Sequence, residues 1–283
     1  MKVGELLAHG AERLNKAGCP DFWLESVLIL SHALGKRKEW VLAHPEAQVE
    51  EEEERLFLSL LERRAKREPL PYILGQIEFY GIPLKIDQRA LIPRPETELL
   101  VEKALEWARN LPSLTIADVG TGSGAVAIAL ALHLGEKGFI YALDSSPQAL
   151  ELARENASLN QVEKRIVFVL SDLLSALEEP VDLIVANLPY IPSAQLEKLA
   201  PELRWEPREA LDGGPDGLAN IRKLLLQAPS YLKRGGAMFL EVGPGQARKV
   251  KALARKAFPN AQISSFPDLR GIMRVVMVKN ASP

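Results

Sequence analysis

Apolar side chains recur at helical spacing through residues 1–72 of the chain. Leu6 and Leu14 fall on one face of a first helix, and a second set of this kind runs through residues 22–34. Gly35 follows the second set directly and is typical of a helix end. The pattern predicts a small helical domain over residues 1–72.

The hydrophobic pattern changes after Tyr72. Short apolar runs broken by Gly75 and Gly81 predict a β-hairpin, which we assign to a β linker over residues 73–92. Over residues 93–283, strand-like apolar runs alternate with helical stretches. The strand-like runs are Leu114–Val119, Phe139–Leu143, Ile166–Leu170, Val181–Ala186, Ala237–Val242 and Ile272–Val278, and the helical stretches include Val126–His133, Pro147–Leu159 and Asn220–Leu232. This alternation predicts an α/β domain, in which a mostly parallel sheet carries helices on both faces.

Composition and charge narrow the class of protein. Of the 283 residues, 47% are hydrophobic and 25% are charged, which is ordinary for a globular protein. The formal net charge of −2 is unlike that of most nucleic-acid-binding domains, and no apolar run approaches the ~18 residues of a membrane helix. A single cysteine, Cys19, excludes an internal disulfide, and the four histidines lack metal-ligand spacing. We therefore expect a cytoplasmic protein without a metal, a membrane or a direct nucleic-acid partner.

A glycine-rich turn joins the first strand of the α/β domain to the next helix. The turn consists of Gly120, Thr121, Gly122, Ser123 and Gly124. Glycines at such a turn adopt positive φ and let a ligand approach the backbone closely. Asp144 ends the next strand, 20 residues beyond Gly124, where a carboxylate accepts hydrogen bonds from ribose hydroxyls. The combination predicts a nucleoside-binding site, and the alternative is a tight turn with a capping aspartate.

The glycine spacing distinguishes between nucleoside ligands. The dinucleotide fingerprint is G-x-G-x-x-G, whereas the third glycine of this chain comes one residue earlier. The arrangement resembles the loop of class I methyltransferases, which bind S-adenosylmethionine. That ligand offers ribose hydroxyls to Asp144 and has no pyrophosphate. In the same fold Asp172 and Leu173, after the third strand, are expected along the adenine.

The fourth strand ends in an unusual tetrapeptide, Asn187-Leu188-Pro189-Tyr190. Ligands of an open parallel sheet bind beyond the carboxyl ends of its strands, so the tetrapeptide is predicted to face the glycine turn. The Asn187 side-chain oxygen and the Leu188 carbonyl suit the two N–H hydrogens of a planar amide, whose nitrogen they would direct to a methyl donor. Pro189 restricts Leu188 to extended geometry, and Tyr190 offers a flat face. A stiffened turn with a core tyrosine is the alternative.

Six segments together resemble one family. They are Pro71–Gly75, Leu91–Glu98, Asp118–Gly124, Asn187–Tyr190, Glu206–Leu218 and Asp268–Gly271. Over nearly the whole chain they are similar to the protein-(glutamine-N5) methyltransferases of peptide chain release factors, the HemK/PrmC family. The family's tetrapeptide is usually Asn-Pro-Pro-Tyr, and this chain departs from it at Leu188, which still supplies a backbone carbonyl.

The resemblance implies an S-adenosylmethionine-dependent transfer of methyl to the glutamine N5 of a Gly-Gly-Gln motif in class 1 release factors, with S-adenosylhomocysteine as product. It implies that the tetrapeptide binds the substrate glutamine, with Asn187, Pro189 and Tyr190 catalytic. The residues that it places at the methyl donor are Gly120, Thr121, Gly122, Ser123, Gly124, Asp144, Asp172, Leu173 and Asn187. The helical domain over residues 1–72 would help to dock the release factor, or would be purely structural.

Three other functions remain open on the sequence. A ribosomal-protein glutamine methyltransferase uses related chemistry, although the segment Ile92–Glu98 is more similar to the release-factor branch. An adenine-N6 nucleic-acid methyltransferase would need a basic groove, which the charge does not indicate. A non-catalytic binding module would not need Asn187, Pro189, Tyr190 and Asp144, all of which are present.

Overall fold

The structure is a computed structural model that describes residues 1–281; the last two residues of the domain predicted over 93–283 lie outside this part. Its helices are α1 (Val3–Lys16), α2 (Phe22–Leu34), α3 (Lys38–Ala43), α4 (Glu51–Ala65), α5 (Leu70–Leu74), α6 (Glu98–Ala108), α7 (Ala125–Leu134), α8 (Pro147–Leu159), α9 (Ala219–Tyr231) and α10 (Ala247–Ala257). Its strands are β1 (Gln76–Phe79), β2 (Ile82–Lys85), β3 (Leu114–Val119), β4 (Gly138–Asp144), β5 (Ile166–Leu170), β6 (Val181–Ala186), β7 (Leu232–Glu241), β8 (Gln262–Pro267) and β9 (Met273–Lys279).

The described chain divides into two compact units. The first contains Met1–Gln76 and the short segment Ala200–Trp205, and the second contains Ile77–Leu199 and the chain from Glu206 onward. The β1–β2 hairpin, which we assigned to a separate linker over 73–92, lies mostly in the second unit, because its apolar side chains pack into that unit's core. The functional division into docking domain, linker and methyltransferase domain stays a prediction.

Helices α1 to α5 form the first unit around their own apolar core. Leu6, Leu14, Leu30 and Phe57 are fully buried in it, as the helical spacing predicts. The sequence did not indicate that the segment Ala200–Trp205 belongs to this unit.

Ion pairs hold the returning segment in the first unit. The Arg67 guanidinium donates to both Glu202 carboxylate oxygens at 2.7 and 2.9 Å. The buried Arg64 donates to Glu202 at 3.0 Å and to Glu25 at 2.9 Å. Because a buried guanidinium is costly without partners, Arg64 depends on both carboxylates.

Within residues 1–281, strands β3 to β9 form one sheet in the order β5-β4-β3-β6-β7-β9-β8. The pairs among β5, β4, β3, β6 and β7 are parallel, and β9 and β8 complete the sheet in antiparallel pairs. The predicted mostly parallel α/β sheet is therefore confirmed. The limits predicted as Ala237–Val242 need correction, because β7 begins at Leu232, directly after α9.

The strand register aligns four residues along the carboxyl edge of the sheet. Val119 of β3 pairs with Leu143 of β4 and with Ala186 of β6, and Ala186 pairs with Leu240 of β7. The residues that follow these four positions are Asp144, Gly120, Asn187 and Glu241, in sheet order. The chain turns from one side of β3 to the other at this point, and ligands of open α/β sheets bind where the strand order reverses in this way.

Candidate active site

The second unit contains a cavity of ≈ 590 Å³ at the carboxyl edge of the sheet. Of the residues predicted for the site, those that line the cavity are Gly120, Thr121, Gly122, Ser123, Asp144, Asp172, Leu173, Asn187, Leu188 and Pro189. Gly124 and Tyr190 do not line it. The parallel register therefore joins the glycine turn and most of the tetrapeptide in one cavity, as the sequence predicts.

The three glycines of the turn all have positive φ, for different reasons. Gly122 has φ 56°, and a Cβ there would meet nothing within 4 Å, so its backbone is open to a ligand. A Cβ on Gly120 would lie 3.0 Å from Leu188 Cδ2, and one on Gly124 would lie 3.1 Å from Ala153 Cβ. Gly120 and Gly124 are thus required for packing, and Gly122 is the position that allows close approach of a ligand.

Asp118 anchors the glycine turn to the start of α7. Its Oδ2 accepts hydrogen bonds from Thr121 Oγ1 at 2.7 Å and from the Ala127 N–H at 3.1 Å. Burial raises the pKa of Asp118 to about 7, and the two hydrogen bonds oppose that rise. Asp118 is 2% exposed, so it shapes the turn from within the protein.

Asp144 is fixed at the end of β4 by backbone donors. Its Oδ2 accepts from the Gly122 N–H and its Oδ1 from the Ser146 N–H, both at 2.9 Å. Burial raises the pKa of Asp144, and these hydrogen bonds oppose the rise. Each carboxylate oxygen has a second lone pair, so the group retains acceptor capacity for ligand hydroxyls in the cavity.

The turn after β5 presents Leu173 and Asp172 differently. Leu173 has φ 56°, a conformation uncommon for a leucine, and Ser171 Oγ holds it by donating to the Leu173 carbonyl at 2.7 Å. The Asp172 carboxylate is largely exposed and pairs with Lys223 of α9. Ser171, for which we predicted no separate role, thus holds the backbone of this turn in place.

The tetrapeptide after β6 lies beside the glycine turn. Asn187 Nδ2 donates to Thr97 Oγ1 at 3.0 Å, which leaves Asn187 Oδ1 available as an acceptor. Leu188 is buried at 5% exposure with its side chain against Gly120. Burial raises the pKa of Tyr190 to about 12, and the nearby Glu241 carboxyl adds to the rise. The phenol therefore stays protonated at ordinary pH.

A glycine-rich loop and Gln246 support the backbone of the tetrapeptide. Gln246 Nε2 donates to the Tyr190 carbonyl at 2.9 Å, while Gln246 Oε1 accepts from the Gly243 N–H at 2.9 Å. A Cβ on Gly217 would lie 2.3 Å from the Tyr190 carbonyl oxygen, and one on Gly213 would lie 2.7 Å from the Pro189 carbonyl oxygen. Only glycine fits at these two positions.

Replacing Gly217 by alanine is expected to destabilise the protein by about 2 kcal/mol and to displace the tetrapeptide, because the methyl group clashes with the Tyr190 carbonyl and φ is +75°. Thermal unfolding and a methyl-transfer assay measure the two effects. Gly245→Ala is the matched control, since φ there is +79° with nothing within 4 Å of the added methyl. Equal effects of the two variants would show that the close approach at Gly217 is unimportant.

Named relatives of the chain are similar to it over almost its whole length. The release factor glutamine methyltransferase of Deinococcus radiodurans is 39% identical over 286 residues, which covers 99% of this chain and 99% of the relative. This chain belongs to the release factor glutamine methyltransferase family. The enzyme of that name from Moorella thermoacetica is 40% identical, over 96% of each chain. The family resemblance proposed from the six segments is therefore confirmed.

Two family models match different parts of this chain, and one solved structure is similar to most of it. The PrmC N-terminal domain model matches residues 5–75, and the ribosomal protein L11 methyltransferase (PrmA) model matches residues 95–205. The crystal structure of ribosomal protein L11 methylase from Lactobacillus delbrueckii subsp. bulgaricus has a TM-score of 0.52 at 24% identity, covering 70% of this chain and 85% of that one. The likeness supports the class I methyltransferase fold.

Sequence reasoning missed several residues that shape the site. Thr97 and Gly217 lie within segments that carry the family resemblance, yet no pattern gave them a role. Glu241 had a visible signal, because it is a carboxylate inside the apolar run of β7. Gln246 had no such signal, since a glutamine after a glycine turn is ordinary. Within residues 1–281 no cluster of three or more His, Cys, Asp or Glu side chains is placed to hold a metal ion.

Proposed function

We propose that this chain transfers the methyl group of S-adenosylmethionine to N5 of the glutamine in the Gly-Gly-Gln motif of class 1 peptide chain release factors. One observation carries the proposal: the strand register puts Asn187 beside the glycine turn and Asp144 in a single cavity. Relatives named release factor glutamine methyltransferase, 39% and 40% identical over almost the full length, support the same substrate.

The residues of the cavity fit S-adenosylmethionine. Gly122 leaves open space over the backbone, and Asp144 retains acceptor capacity for two ribose hydroxyls. Asp172 and Leu173 line the same cavity and are proposed to lie along the adenine. When bound, the donor supplies an electrophilic methyl group on a positively charged sulfur.

The tetrapeptide is proposed to bind and orient the substrate glutamine. Asn187 Oδ1 and the Leu188 carbonyl accept the two N–H hydrogens of the glutamine side chain, which fixes the direction of its nitrogen. An amide nitrogen is a weak nucleophile, so orientation is the main contribution that these residues make. Tyr190 stays neutral, and it supports the backbone of the tetrapeptide rather than acting as a base.

The first unit is proposed to help to dock the release factor. Residues 5–75 match the PrmC N-terminal domain model, and this match supports the assignment.

No helix among residues 1–281 has the length and apolar character that a membrane span requires.

A labelled-methyl assay tests the proposed function. The protein is incubated with radiolabelled S-adenosylmethionine and, separately, a class 1 release factor, the same factor with its Gly-Gly-Gln glutamine changed to alanine, ribosomal protein and DNA. We expect label in the unaltered release factor alone, with mass spectrometry placing one methyl on that glutamine. Label in ribosomal protein or DNA, or in none of the four, would refute the proposal.

Replacing Leu188 by proline, the residue usual in the family, is expected to change kcat by no more than about threefold, because the backbone carbonyl is retained. The buried leucine side chain against Gly120 is lost, so the melting temperature should fall. Steady-state kinetics and thermal unfolding measure the two effects. A loss of kcat beyond about tenfold would mean that the side chain, not the carbonyl, matters for the substrate.

A further inference from the structure

Glu241 is a carboxyl group that the proposed chemistry does not use. It ends β7, is 2% exposed, and its Oε2 has no hydrogen-bond partner within the described residues. Buried carboxyl groups without full hydrogen bonding are costly, so the position requires an explanation. Because Ala186 pairs with Leu240, Glu241 stands beside Asn187 at the carboxyl edge of the sheet.

Thr97 connects Glu241 to Asn187. The Thr97 hydroxyl accepts the hydrogen bond from Asn187 Nδ2 at 3.0 Å, and its proton lowers the pKa of the neighbouring Glu241 carboxyl. Thr97 is 3% exposed and directly precedes α6, where a threonine oxygen would ordinarily accept from the helix N–H groups. Its side chain makes no such capping bond. The hydroxyl proton is therefore not used by the backbone and is available to the Glu241 carboxylate.

The link determines which way the Asn187 amide faces. A hydroxyl has one proton to donate, and an ionised carboxylate can only accept. When Thr97 donates its proton to Glu241, its oxygen can only accept from Asn187, so the amide NH₂ must face Thr97. The amide oxygen is then left for the substrate. A flipped Asn187 amide would present its NH₂ to the NH₂ of the glutamine and could not bind it.

We propose that Glu241 and Thr97 are positioning residues that fix the orientation of the Asn187 amide, so that its oxygen accepts from the substrate glutamine. This inference rests on the proposed function. It adds two residues outside the tetrapeptide to the machinery, and it explains why a carboxyl group is buried at the end of an apolar strand.

The protonation state of Glu241 controls the link. Burial raises the pKa of Glu241 to about 7, whereas the Thr97 hydrogen bond, Arg274 of β9 and Arg94 lower it, and Glu96 raises it. Tyr190, the remaining titratable neighbour, is neutral at these pH values. A protonated carboxyl group can donate to Thr97 and thereby free the hydroxyl proton for the Asn187 oxygen. The locked orientation is therefore present above pH of about 7 and is lost as pH falls through that value.

Thr97→Val tests the link without adding volume to the core. We expect kcat for release-factor methylation to fall about tenfold, since one directing hydrogen bond is lost, while the donor dissociation constant stays within about twofold. Thr97→Ser restores the hydroxyl and should recover most of the lost kcat. Thr115→Val is the matched control, because Thr115 is on β3 and does not line the cavity.

Glu241→Gln tests the other end of the link. Its amide can donate to Thr97, so kcat should fall by about the same factor as in Thr97→Val. The decline in kcat that the unaltered protein shows below pH of about 7 should be absent from this variant. Thermal unfolding at pH 8 should show no loss of stability, because the substitution removes a buried ionisable group. A purely structural role would give the opposite, with a lower melting temperature and an unchanged pH profile.

A readout independent of turnover is the titration of Glu241 by carboxyl-selective NMR. Since the Thr97 hydrogen bond lowers the pKa of Glu241, that pKa should rise in Thr97→Val and return in Thr97→Ser. If the unaltered protein methylates the release factor and Asn187→Ala does not, yet Thr97→Val and Glu241→Gln match the unaltered protein, the positioning inference is wrong and the proposed function stands. If the unaltered protein labels no release factor, the proposed function itself fails.

Discussion

Replacing Asn187 by alanine is expected to lower kcat for release-factor methylation by about 10²- to 10³-fold, because a misdirected reacting atom alone costs about 10²-fold. The variant removes the side-chain oxygen that accepts from the glutamine and leaves the glycine turn and Asp144 in place. The donor dissociation constant, measured by calorimetry, should therefore change little. Single-turnover kinetics with a release factor measure the chemical step directly.

Asn187→Asp separates the acceptor role from a structural one. The aspartate retains an oxygen that can accept from the glutamine, and its other oxygen competes with Glu241 for the single proton of Thr97. It should therefore retain more activity than the alanine variant. Equal losses in the two variants would indicate that Asn187 matters for the shape of the tetrapeptide. Unchanged turnover in Asn187→Ala would refute the acceptor role altogether.

Replacing Asp144 by alanine is expected to weaken binding of S-adenosylmethionine by about 2–3 kcal/mol, or roughly 30- to 150-fold, since charged acceptors contribute more than neutral ones. The carboxylate has two tasks: it holds the Gly122 N–H at 2.9 Å and retains acceptor capacity for ribose hydroxyls. Calorimetric titration with the donor measures the loss. The kcat at saturating donor should fall much less than the affinity, because Asp144 does not contact the acceptor amide.

Asp172→Ala is the matched comparison for Asp144→Ala. Both carboxylates line the cavity, but that of Asp172 is largely exposed and already paired with Lys223. Water screens such a pair, so the donor affinity should fall by no more than about threefold. Equal losses for the two aspartates would contradict the assignment of Asp144 to the ribose. Burial raises the pKa of Asp144. As pH falls, its contribution to donor binding should therefore be lost at a higher pH than that of an exposed aspartate.

These two predictions address separate steps, and the link from Glu241 through Thr97 belongs to the first of them. Variants of Thr97 and Glu241 act through Asn187, so their effects should not add to that of Asn187→Ala. A double variant of Thr97 and Asn187 that is no slower than Asn187→Ala alone is the expected result. The donor side of the cavity, built around Asp144 and Gly122, should be insensitive to all of these changes.

Local sequence determined the elements that carry the site. The predicted limits agree to the residue for Leu114–Val119, Ile166–Leu170, Val181–Ala186 and Pro147–Leu159, because a polar residue, a glycine or a proline lies directly before and after each of these segments. The edge strand β8 was not predicted. Four of its six residues are half-buried and only half of them are apolar, so its pattern is close to that of a loop.

The sequence also determined which chemistry the chain offers. It contains a glycine turn, an aspartate at the end of the next strand, and an asparagine followed within three residues by proline and tyrosine. Each of these features is visible in local sequence. Only the tertiary structure decided that Thr97 and Glu241 meet Asn187, and that the segment Ala200–Trp205 belongs to the first unit. Those contacts depend on strand register and on packing between residues far apart in the chain. No local pattern of side chains encodes them, because the free energy that fixes the register is distributed over the whole sheet.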